Sequence, residues 1–155
     1  MASEEQKKTR QIKLFNEVIF GLCKGMWELL GEGAYATVTE IGEEILEEIE
    51  HDMGLEIQGE NPEDMLTEIE RLLVDELGAC KKASLKIEGK RIDMVIEGDI
   101  LQHSYLDLKK EGIQPFVCPS MMIASAALRE RLGLKERLIG ITVDDDKIDI
   151  AFEML

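Results

Sequence analysis

The sequence predicts an α+β fold: helices packed on one face of an antiparallel sheet of about four strands. Apolar residues recur at helical spacing through the first half of the chain. The period then drops to two in the paired runs Leu85–Ile96 and Ile139–Phe152, each interrupted by a short polar turn. Clean alternation in such runs describes strands wet on one face and covered on the other. The order is helices, hairpin, helix, a proline-bracketed turn, helix, hairpin, which places strands and helices in separate layers.

The elements follow in turn. Residues 1–11 form a charged N-terminal extension, and one domain occupies residues 12–155. Ile12, Phe15, Ile19, Leu22, Met26 and Leu29 trace a helical stripe, widened by Leu14, Val18, Trp27 and Leu30. A mostly buried first helix is expected, with a narrow polar strip of Lys13, Glu17, Lys24 and Glu28. Phe20 falls inside that strip, and an aromatic there predicts contact with a ligand or a second chain. Pairing about a two-fold axis would set Phe20, Glu17 and Lys24 against their copies, so a homodimer is expected at this strip.

Gly31 and Gly33 break the helix. A second amphipathic helix points Val38, Ile41, Ile45 and Ile49 inward and Glu40, Glu43, Glu44, Glu47 and Glu48 to solvent. Asn61 caps a third helix, with Pro62 at its first position and Glu63 and Asp64 in its first turn. Met65, Ile69, Leu72 and Leu73 form its apolar face, and Gly78 ends it. The first hairpin turns at Glu88-Gly89-Lys90, with Leu85, Ile87, Ile92, Met94 and Ile96 on the covered face. Asp99 caps a short helix carrying Leu101, Tyr105 and Leu108 and closed by Gly112. Pro115 and Pro119 forbid regular structure across Ile113–Ser120 and hold Cys118 in a rigid turn at the mouth of the next helix. Gly133 stops that helix. In the last hairpin Ile139, Ile141, Val143, Ile148, Ile150 and Phe152 point inward around the turn Asp144-Asp145-Asp146.

At 155 residues the chain can bury a core without disulfides. Three cysteines without tight spacing indicate reduced thiols and a cytoplasmic protein. A net charge of -15 opposes binding to nucleic acid or to an anionic membrane surface. No phosphate loop, nucleophile elbow or paired Cys-x-x-Cys occurs, so no catalytic residue is assigned and no enzyme activity is expected.

Cys118 could be a small buried apolar residue, a ligand contact or a metal ligand; the first is the commonest use of a free cysteine. His103 beside an apolar stripe reads as hydrogen-bonded or exposed. The aspartates at 144–146 read as a hairpin turn, because a calcium loop needs graded oxygen spacing and a closing glutamate. Phe15, Met26, Trp27, Phe116, Cys118, Met121 and Met122 bring together large aromatics, a thiol and adaptable methionines. They are the candidate lining of an apolar pocket, although ordinary core packing would use the same residues.

Val117-Cys118-Pro119 followed by the small-residue helix Ala124-Ser125-Ala126-Ala127 resembles the vinyl-4-reductase domain family. The order of the three N-terminal helices, the hairpin Ala83–Ile96 and the segment Asp99–Gly112 extends the resemblance over roughly Leu14 to Leu155. That family is similar to the ligand-binding fold shared by Golgi transport-particle subunits and haem nitric-oxide sensors. The resemblance implies a homodimer with an internal pocket for small hydrophobic or aromatic molecules. Some relatives bind zinc through this cysteine, an acid and two later cysteines. Leu138–Leu155 holds no cysteine, and the Tyr-x-Ser-x-Arg signature of the haem branch is missing, so neither cofactor is expected. The expectation is a non-catalytic binding protein for a small apolar molecule. Its alternatives are an interaction scaffold with a filled core or an accessory enzyme of tetrapyrrole metabolism.

Overall fold

A computed structural model describes all residues, 1–155. The first helix, α1, runs from Glu4 to Leu30 and begins eight residues before the expected start at Ile12. Ser3 supplies the reason: its hydroxyl accepts from the Gln6 amide while the Gln6 side chain accepts from the Ser3 amide, a complete capping box. Glu4 and Glu5 then lie at the positive end of the helix dipole. The charged extension is therefore the first turns of α1.

A 3₁₀ segment at Gly31–Ala36 leads into α2 (Thr37–Glu47), and α3 spans Pro62–Arg71 under its Asn61 cap. Both α2 and α3 end in a wider π-type turn, at Glu48–Asp52 and Leu72–Glu76. The hairpin β1 (Lys82–Glu88) and β2 (Arg91–Glu97) pairs in the register the alternation demands, Leu85 opposite Met94 and Ile87 opposite Ile92. Helices α4 (Gln102–Lys110) and α5 (Pro119–Leu132) precede the second hairpin, β3 (Glu136–Val143) and β4 (Lys147–Met154). The sheet is antiparallel throughout in the order β1-β2-β4-β3, so the expected α+β class holds.

The main core joins Ile92, Met94, Ile96, Ile148 and Ile150 from the sheet to Met65 and Ile69 of α3 and to Met121, Ile123 and Ala127 of α5. Lys86 faces solvent. Helix α5 is buried almost all round from Ser120 to Leu128. Against it lies α2, whose Gly42 makes the approach possible: a Cβ there would sit 2.9 Å from the Met122 carbonyl oxygen.

Two expectations about side-chain direction are corrected. The first helix is mostly exposed, with only Asn16 and Cys23 fully buried. Its inward line is Asn16, Ile19, Phe20, Cys23, Met26 and Trp27. Phe15, Leu22 and Leu29, expected inward, point to solvent. In β3 the pairing shifts between Leu138 and Gly140, a bulge that makes Ile139 the extra residue. Leu138, Ile141 and Val143 face the core, and Ile139 turns out, half of its surface exposed.

Candidate functional site

Asn16 is the side chain that seats α1. Its amide nitrogen donates to the carbonyls of Ile12 (2.9 Å) and Ile100 (2.7 Å), and its oxygen accepts from the Ser104 amide (2.9 Å). Ser104 is the third residue of α4, so a residue from another helix caps that helix. Nearby, Glu17 and Asp107 flank His103, whose Nε2 lies 3.6 and 3.3 Å from their oxygens. These three donors lie within 4.8 Å of one another on the surface, and His103 is exposed. Lys24 approaches Glu111 at 3.5 Å and stands 6.0 Å above the Phe20 ring. Within the chain, Glu17 of the strip expected to meet a second chain lies beside α4, Lys24 lies beside Glu111 just after α4, and Phe20 packs on the cluster that includes Leu108.

The seven candidate pocket residues separate into four places. Met26, Trp27 and Phe116 enter a small aromatic cluster around Cys23, Leu108 and Ile113. Tyr35 bridges it, tilted on Trp27 at 5.7 Å and edge-on to Phe116 at 5.5 Å. Cys118 and Met121 belong to the main core, and Met122 is buried beside α2. Phe15 is 66 % exposed and far from convergent with the rest.

An apolar groove does exist, lined by none of those seven. It has a volume of about 930 Å³. Ile41 and Ile45 of α2 and Ile49 and Met53 beyond it form one wall. Leu77 and Ala79 after α3, Ile100, and Pro119 and Ile123 of α5 form the rest. Glu40, Glu43, Glu44 and Glu48 stand on the rim. The groove draws on four separate segments, each contributing one to four ordinary apolar residues, so no local motif announces it.

Adjacent in sequence to Ile100 and Pro119 are Asp99 and Cys118, members of a sealed polar cluster. Asp99 accepts from the Leu101 amide at 2.8 Å. Burial pushes its carboxyl up to about 6, opposed by that amide and by the Tyr105 hydroxyl. The Tyr105 hydroxyl, fully buried, is held beside Asp99 and Cys118 without full hydrogen-bond geometry to either. Cys118 Sγ lies 3.2 Å from Ser120 Oγ. Burial raises Cys118, Cys23 and Cys80 alike, each to about 11. All three thiols are thus protonated at neutral pH and poor nucleophiles.

With this geometry in view, residues 13–153 match the family described as "Putative rubredoxin C-terminal domain". The chain belongs to that family. No curated protein matches the sequence. Among solved structures the fold is similar to that of a trafficking protein particle complex subunit 3 from Naegleria fowleri covalently bound to palmitic acid. The TM-score is 0.58 at 11% identity, over 95% of this chain and 96% of that one. At that identity the likeness establishes a transport-particle-subunit fold for this family member. A four-thiolate iron centre of the kind iron–sulfur proteins use does not fit these residues, which include only three cysteines, divided between the two apolar clusters. No helix is long and apolar enough to cross a membrane.

Proposed function

We propose that this chain is a non-catalytic binding protein for a small apolar molecule, on a vinyl-4-reductase-like version of the fold, and that it acts as a homodimer. One observation carries the binding role: the groove between α2 and the first turn of α5, about 930 Å³ with an apolar floor. That volume suits a small-molecule ligand. The similar fold with palmitic acid attached supports an aliphatic or aromatic occupant. In this chain the occupant is held reversibly, because every thiol is buried and protonated. The cluster of Asp99, Tyr105, Cys118 and Ser120 is sealed by burial and serves structure.

Nile red, an uncharged dye whose emission reports apolar surroundings, tests the groove. Ile41→Asn with Ile100→Asn makes two of its less buried apolar lining positions polar without changing charge. Removing that apolar contact should weaken dye binding by about tenfold or more, about 1.4 kcal/mol, with little change in thermal unfolding. Unchanged dye affinity would show that the groove is not the site. A scaffold role also has a specific observation behind it, the exposed apolar face of α1.

A further inference from the structure

The charges on the rim of this groove are all of one sign. Glu40, Glu44 and Glu48 stand four residues apart, in a file along one side of α2 and its terminal turn. None of the three makes an ion pair. Glu43 has only Arg129, at 4.0 Å, and that guanidinium lies closer to Glu136, at 3.3 Å. No lysine, arginine or histidine lines the groove. Like charges at four-residue spacing weaken a helix. Asp52 adds to the crowding, and its contact pushes the Glu48 carboxyl above the ordinary carboxylate range.

We infer that the groove selects an amphiphile with a cationic head, an amine or quaternary ammonium on a hydrocarbon body, and rejects fatty carboxylates. This rests on the groove being the ligand site. The apolar floor takes the hydrocarbon, and the ammonium lies at the rim against Glu40, Glu44 and Glu48. A carboxylate in that position would meet three unpaired like charges in a chain of net charge -15. A basic amphipathic helix would satisfy the same rim, but the groove's volume is that of a small-molecule site.

Displacement of Nile red by decyltrimethylammonium, decanol and decanoate, all below their micellar concentrations and at low salt, separates the possibilities. Attraction to the rim and repulsion from it should make the ammonium at least about tenfold tighter than the carboxylate, with decanol between them. Added salt should narrow the gap. Glu40→Gln, Glu44→Gln and Glu48→Gln together should bring the ammonium-to-carboxylate ratio close to one and leave decanol unchanged. Decanoate binding as tightly as the ammonium overturns the charge selection while leaving the groove intact, since decanol would still bind. Failure of all three compounds to displace the dye removes the groove itself. A basic amphipathic peptide that displaces it where the ammonium does not would overturn the proposal in favour of protein docking.

Discussion

Burying Asp99 ties the stability of this fold to pH. Its carboxyl titrates at about 6 in the folded chain, against about 4 when the chain is unfolded. A raised value means that the folded state holds the proton more tightly. The contribution is therefore complete below about pH 4 and is lost as pH rises through 6. Two units correspond to roughly 3 kcal/mol at most. Asp99→Asn keeps an oxygen to accept from the Leu101 amide and cannot ionise. Urea unfolding should show the variant more stable than wild type by about 1 kcal/mol at pH 4.5 and by roughly 2–3 kcal/mol at pH 7.5. A difference that stays constant between those pH values would mean that Asp99 is not the titrating group. The same residue shows how far a local signal reaches. A polar turn before an apolar helix is legible in Asp99-Ile100-Leu101, but Asp99 is not the expected cap: Leu101 precedes α4, and Asn16 caps it. The meeting of Asp99 with Tyr105 and Cys118 depends on how α4 and α5 pack.

Among the elements, the contact of α2 with α5 depends most on a single atom. Gly42 leaves room for the Met122 carbonyl, a backbone oxygen that cannot rotate aside. An alanine gains about 1 kcal/mol of helix propensity but forces the helices apart, at a typical overpacking cost of about 1–3 kcal/mol. Gly42→Ala should therefore unfold at lower urea, by up to about 2 kcal/mol. It should also disturb the groove, since Ile41 and Ile45 flank the glycine and Ile123 follows Met122. A variant as stable as wild type would mean that the helices can separate freely. The elements themselves were legible because capping residues, prolines and glycines stand at most of their ends, as at Asn61, Pro62 and Gly133. Facing was legible only where polar residues define one side. Beyond its charged first turns α1 carries apolar residues on most sides, so its periodicity fits more than one buried face, and the hydrogen bonds of Asn16 to Ile100 and Ser104 choose between them. Strict alternation in β3 put Ile139 inward, and the bulge before Gly140 reversed it. The groove escaped because its lining residues come together only in the folded chain.

At the scale of the whole molecule, the face of α1 turned away from the body sets the expected assembly. Phe15, Val18, Leu22 and Leu29 are exposed along it, with Gly25 completing an alternating three- and four-residue spacing. That is the spacing of a helix-pairing seam. Leu14 borders it, and nothing lies within 4 Å of a Cβ built on Gly21 or Gly25, so a second helix can approach closely there. A contiguous apolar strip of this length is unusual on a monomer. An antiparallel pair about a two-fold axis would oppose the two helix dipoles. The expected homodimer therefore uses the seam of Phe15, Val18 and Leu22, on the side of α1 away from Phe20, Glu17 and Lys24. Val18→Glu with Leu22→Glu should give a monomer by light scattering that still unfolds cooperatively, because neither side chain touches the core. Phe20→Glu should instead lower stability through the aromatic cluster while the dimer persists under native conditions. A wild type that is monomeric at tens of micromolar, or a Val18/Leu22 double variant that dimerises as tightly as wild type, would remove the seam from the interface.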